Sequence, residues 1–250
     1  MIGNIFLLSR NPAGLCVLGW FLLVLPMACT SSDTYVEQGR NLMKDGKFRE
    51  AVQVLNQAIE ADADNAEAFN SRGVAYFELK DYTNAAQDYD QAIKLQPNSY
   101  RPYYNRALLK VAQNNFADAL KDYSDAIRLL PDTSRQAGAD VYLNRGQLFA
   151  AQGQIQPALN DFSQAITLNP QNAQALYNRG NLRYQQKDLT GATVDFEQAV
   201  KADPKFGKAF YALGLAQILQ ERRDEGCLSL KQAQTLGYAD AVAAVTSYCQ

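Results

Sequence analysis

The chain has 250 residues, with 24 Lys and Arg against 26 Asp and Glu and no histidine, so its net charge is −2. That balance, with no clustered basic stripe, excludes the usual nucleic-acid binder, and the missing imidazole excludes histidine triads, general bases and metal ligands. Four cysteines, two of them within the first 29 residues, exclude a multi-cysteine zinc site, and 15 glycines with 8 prolines are too few for a fibrous or disordered chain. No metal and no cofactor is expected.

Leu15 to Leu25 are 11 consecutive apolar residues behind a single positive charge, Arg10. A spanning helix needs about 20, so the run reads as the core of a secretory signal. It ends in Pro26-Met27-Ala28-Cys29, followed by Thr30. A small residue and then cysteine resembles the bacterial lipobox, although Pro26 stands where Leu or Val is usual. The resemblance implies removal of residues 1–28, a diacylglycerol on the Cys29 thiol and a short tether over 29–31. Ordinary signal-peptidase cleavage near Thr30 and an uncleaved anchor remain as alternatives. Acyl chains tether a protein to a membrane without spanning it. Thr30 stands where inner-membrane retention often shows Asp, which points to the outer rather than the inner membrane of a bacterial envelope.

From Ser32 onward the chain repeats every 34 residues, six times: 32–65, 66–99, 100–133, 139–172, 173–206 and 207–240. Five extra residues, Ser134 to Gly138, precede the fourth unit and either extend its first helix or bulge the loop after Pro131. Position 8 is small: Gly39, Gly73, Ala107, Gly146, Gly180 and Gly214. Position 20 is Ala51, Ala85, Ala119, Ala158, Ala192 and Gly226, and position 27 is alanine throughout, from Ala58 to Ala233. Position 24 is large: Leu55, Tyr89, Tyr123, Phe162, Phe196 and Leu230. Position 32 is proline in the four middle units, Pro97, Pro131, Pro170 and Pro204. Small residues let helices approach, large ones at positions 4, 17 and 24 fill the space between them, and proline stops the second helix. After Gly237 one further helix, Ala239 to Tyr248, is predicted to cap the stack, with 241–250 as the capping segment.

This pattern resembles the tetratricopeptide repeat family over Ser32 to Asp240. The resemblance implies an all-α, right-handed solenoid of six helix pairs, the first helix of each pair lining a concave groove. One such unit cannot bury its apolar face alone, so the stack folds together.

Position 7 is Arg72, Arg106, Arg145 and Arg179 in the middle units, and position 23 is Asp88, Asp122, Asp161 and Asp195 in the same four. The first and last units have neither. Arg and Asp appear together or not at all, which predicts four bridges within repeats; an arginine row binding an anionic partner is the alternative. Cys227 and Cys249 sit 10 residues before and 12 after Gly237, so a helical hairpin brings them side by side. Export favours a disulfide there, against two thiols packed in the cap.

In the family, positions 2, 5, 6, 9, 12 and 13 face the groove. Position 6 here is Ser71, Asn105, Asn144 and Asn178; position 5 adds Tyr104, Tyr177 and Tyr211; position 12 adds Phe77 and Tyr184. An amide both donates and accepts, so a row at repeat spacing can follow a peptide backbone, and tyrosines supply contact area. The alternative is that these side chains only bond to the neighbouring helix. The carboxylate-clamp variant of the family is rejected, because Arg101 and Lys208 at position 2 come with no lysine at position 5. The expected function is a tethered, non-catalytic scaffold that holds a protein or peptide in the groove and aids assembly of an envelope complex. The alternative is a self-associating structural lipoprotein.

Overall fold

Thirteen α-helices and no strand occupy residues 31–249, the part of the chain that the computed structural model describes. The signal segment and Cys29 lie outside the described residues. The first half comprises α1 (Ser32–Lys44), α2 (Phe48–Ala61), α3 (Ala66–Glu78), α4 (Tyr82–Leu95), α5 (Tyr100–Ala112) and α6 (Phe116–Arg128). The second comprises α7 (Arg135–Ala151), α8 (Ile155–Leu168), α9 (Ala173–Gln185), α10 (Leu189–Ala202), α11 (Gly207–Leu219), α12 (Arg223–Thr235) and α13 (Asp240–Tyr248). Each helix packs on the next in the chain, and α1 meets α3, α3 meets α5, α7 meets α9 and α9 meets α11. Within residues 31–249 no helix is long and apolar enough to cross a membrane.

Polar residues start the helices. Ser31, Asn65, Asp81, Asn115, Asn172 and Asp188 each accept a hydrogen bond from the backbone N–H three residues on. Such caps satisfy donors that the first turn leaves free. The turn inside each pair has one form throughout. Position 15, occupied by Gly46, Lys80, Asn114, Gly153, Lys187 and Glu221, lies in the left-handed region with φ between 60° and 73°. In the second repeat, Lys80 N–H donates to the Phe77 carbonyl and Asp81 N–H to that of Tyr76, both at 2.9 Å. All six turns share this pair of bonds, which closes the end of a helix around a left-handed residue. Only two of the six residues are glycine.

The core follows the small-large pattern. Positions 20, 24 and 27 are fully or almost fully buried in every repeat. A Cβ on Gly73, Gly146 or Gly180 would lie 2.6–2.8 Å from the ring of Tyr89, Phe162 or Phe196. The glycine therefore sets how closely the paired helices approach, and each buried ring contributes roughly 2 kcal/mol. Positions 4 and 17 are only partly buried in most repeats, and Phe116 is exposed. Position 3, with Ala68, Pro102, Val141, Ala175 and Ala209, and position 10, with Ala75, Leu109, Leu148, Leu182 and Ala216, are buried as well.

The five extra residues lengthen a helix rather than a loop. Helix α7 has 17 residues where the first helices of the other five pairs, α1, α3, α5, α9 and α11, have 13. Its added turn lies against the end of α8: Gly138 faces Leu168, and Arg135 donates to the Thr167 carbonyl at 2.9 Å. At this step α5 and α7 make only marginal direct contact. The second helices end at position 30 with proline at 32, as α4, α8 and α10 do, and also without it, as α2 does at Ala61. There Asp62 accepts from the Asp64 N–H at 3.0 Å, the same turn that Asn169 and Asp203 make beside Pro170 and Pro204.

Glu221 carries a side chain in a conformation that costs about 1–2 kcal/mol, part of which glycine returns as unfolded-state entropy. Glu221→Gly is expected to raise stability by up to about 1 kcal/mol, whereas Gly153→Ala should lower it by about as much. The shift of the urea unfolding midpoint measures both.

Candidate functional site

Side chains of the odd-numbered helices build one continuous face, and the arginines at position 7 orient it. Arg72, Arg106, Arg145 and Arg179 each grip the aspartate of their own repeat with two parallel bonds of 2.7–3.0 Å, from Nε and from one terminal nitrogen. The aspartates are buried, Asp195 completely. The remaining nitrogen reaches back to the preceding repeat, to Asn56, Asp90, Ser124 and Ser163 in turn, at 2.5–3.1 Å. One guanidinium thus ties three helices. The hydrogen bond to Asp88 raises the pKa of Arg72, and burial raises that of Asp88 against the pull of Arg72.

Position 11 completes each site in one of two ways. Lys110 and Arg183 add a second cation to Asp122 and Asp195, at 2.7 and 2.8 Å. In the other two repeats Tyr76 and Phe149 lie against Arg72 and Arg145 instead. Phe69, Tyr103 and Tyr142 at position 4 also lie by these guanidiniums, which accounts for their partial burial.

The asparagine row is unequal. Asn105 donates to Asn70 Oδ1 at 2.9 Å, tying α5 to α3. Asn144 donates to the Tyr104 hydroxyl at 2.8 Å, tying α7 to α5. Burial raises the pKa of that phenol. Ser71 is 3% exposed and does not reach the surface of the face. Asn178 differs: its Oδ1 accepts from Gln174 at 2.9 Å, while its buried Nδ2 has no partner. It lines a cavity of about 260 Å³ with Gln147, Ala150, Asn181 and Gln185.

A second cavity of about 160 Å³ shares Asn181 and is walled by Tyr177, Tyr184, Tyr211 and Tyr238 over Phe196. The rings brace one another: Tyr177 lies 5.0 Å from Phe206 and 6.0 Å from Phe196, and Tyr211 lies 5.0 Å from Tyr238. The Lys208 ammonium sits 5.3 Å from the Tyr177 ring centroid. Phe77 packs on Tyr82 in the second repeat and belongs to that repeat's apolar cluster. A larger recess of about 660 Å³ opens elsewhere, between the turns before α10 and α12. Its lining mixes both charge signs with exposed Val194 and Leu219. Among the described residues no group of acidic or cysteine side chains could hold a metal ion.

Cys227 and Cys249 form a disulfide that ties α12 to the end of α13. The position 25 acceptors, the position 11 cations, Asn181 and Tyr238 were not singled out from the sequence. Polar side chains at position 25 in each repeat that precedes an arginine were the available signal.

The helix hairpins, their common turn and the small-large core at positions 8, 20, 24 and 27 agree with family models. Models described as tetratricopeptide repeat match residues 36–100, 104–156, 146–187 and 173–206. The chain belongs to the tetratricopeptide repeat family. Solved structures share its fold at low identity. Pseudomonas aeruginosa PilF matches with a TM-score of 0.75 at 18% identity, over 85% of this chain and 96% of that one. PilW, described as a widely conserved type IV pilus biogenesis factor, matches at 0.70 and 19%, over 86% and 98%. YrrB, described as a protein with an unusual peptide-binding site, matches at 0.63 and 21%, over 77% and 97%.

Asp161→Ala leaves the Arg145 charge uncompensated in a half-buried site and is expected to cost about 3 kcal/mol. Replacing both partners by apolar residues, Arg145→Met with Asp161→Leu, should restore most of it. Denaturant midpoints of the three proteins check this.

Proposed function

We propose that this protein is a non-catalytic scaffold, tethered through Cys29 to a membrane of the bacterial envelope, the outer one by the Thr30 signal. It holds a protein or peptide partner on the face of the odd-numbered helices and aids assembly of an envelope complex. The buried, unpartnered Nδ2 of Asn178 carries the reading. A buried donor without an acceptor costs about 1–3 kcal/mol, and an acceptor brought by a partner removes that cost. Asn178 also lines the cavity of about 260 Å³. PilF, PilW and YrrB have the same fold, and the roles described for the last two, pilus biogenesis and peptide binding, are of the proposed kind.

A second reading, self-association, is favoured by the exposed apolar residues Leu219, Leu228, Val242 and Tyr248 toward the C-terminal end. Concentration-dependent size in light scattering separates it from a scaffold that stays monomeric until a partner arrives.

In-cell crosslinking with mass spectrometry tests the groove. Asn178→Leu is expected to lose partner crosslinks about fivefold, whereas Asn105→Ala, whose amide already serves Asn70, keeps most of them. Equal crosslinks in wild type and Asn178→Leu, at equal helicity, count against it. A fatty-acid analogue should label wild type and not Cys29→Ala; equal labelling removes the tether from the proposal.

A further inference from the structure

The groove face changes chemistry halfway along. In the first three repeats its positions carry seven charged residues: Asp33, Glu37, Arg40, Lys44, Glu67, Glu78 and Arg101. Glu67 there bridges Arg40 and Arg101 across successive helices. In the last three repeats the same positions carry two, Asp140 and Lys208. Asp140 accepts from Gln136, and Lys208 rests against the Tyr177 ring. Amides, tyrosines and aliphatic residues take the other places, and both cavities of this face lie there.

We infer that the C-terminal half of the groove receives an extended, uncharged segment of the partner whose anchor is a proline. This deepens the groove reading and rests on it. Two observations point to proline. The tyrosine-walled cavity, about 160 Å³, is well below the size of a whole small-molecule site and suits one compact apolar side chain. Aromatic walls favour proline-rich segments, which enter already extended and lose little freedom on binding. Asn178 lines the neighbouring cavity, which shares Asn181, and its buried amide nitrogen lacks an acceptor that a backbone carbonyl of the bound segment can supply. The charges beside the cavity, Lys208 against the Tyr177 ring and Asp240 by Tyr238, are of opposite sign and select neither an anionic nor a cationic anchor.

The experiment pans a phage-displayed library of random 12-residue peptides against the immobilised full chain. A synthetic copy of the enriched sequence is then titrated against wild type, Asn178→Leu, Tyr211→Ala and Tyr211→Leu. Far-UV circular dichroism confirms that each variant folds, and Tyr211→Leu keeps the test open if the alanine variant does not. Enriched peptides should share a proline among uncharged neighbours, and their affinity should fall about five- to tenfold in the variants. Enriched peptides with charged or proline-free anchors, still weakened by the variants, overturn the proline inference and leave the groove reading standing. Binding unchanged in the variants, or no enrichment at all, overturns both.

Discussion

The architecture depends on a single guanidinium geometry used four times. Arginine offers a planar fork that engages both oxygens of a carboxylate and still has a third nitrogen free. Position 7 uses all of this, with two bonds to the aspartate of its own repeat and one to the repeat before. Lysine could not do the same, because a compact ammonium lacks the fork. The ion pair therefore sets how one hairpin sits on its predecessor, while apolar burial supplies most of the stabilisation. The end repeats lack the arginine, and there Cys227–Cys249 and α13 hold the C-terminal hairpin by other means.

Much of this was legible because the chain compares itself with itself. Repetition separates a residue that a position requires from one it tolerates. Thus Gly73, Gly146 and Gly180 mark close approach, and Arg72 and Asp88 can be paired because neighbouring repeats vary both together. What stayed hidden involved contacts without a fixed residue type. Position 25 is asparagine, aspartate or serine, any of which can accept from the arginine behind it. Position 15 is glycine, lysine, asparagine or glutamate, because the two closing hydrogen bonds impose the left-handed backbone whatever side chain stands there. The asparagine row shows the converse limit. Asn105, Asn144 and Asn178 look equivalent in sequence, yet only the last has a buried amide nitrogen with no partner, and that depends on where Tyr104 and Asn70 stand.

The two halves of the groove differ in chemical character. Charges of the first repeats compensate one another along the helices, as Glu67 does between two arginines. The later repeats hold uncharged donors and braced rings, which keep their shape before any partner arrives. Rigid aromatic walls lose little conformational freedom on binding, so contact area there converts to affinity with small loss.

The added turn of α7 has a mechanical consequence. In a stack whose cooperativity runs only between neighbours, the weakest interface decides where the array comes apart. The step from α5 to α7 has little direct contact between the first helices of successive pairs beyond the Asn144 to Tyr104 hydrogen bond, although Val141 and Leu148 share one apolar cluster with Ala107, Tyr123 and Ala126. It falls after the third hairpin of six, leaving on each side the three repeats that such arrays need in order to persist. A step of that kind would let a load bend the array in the middle before it disturbed the packing inside either half.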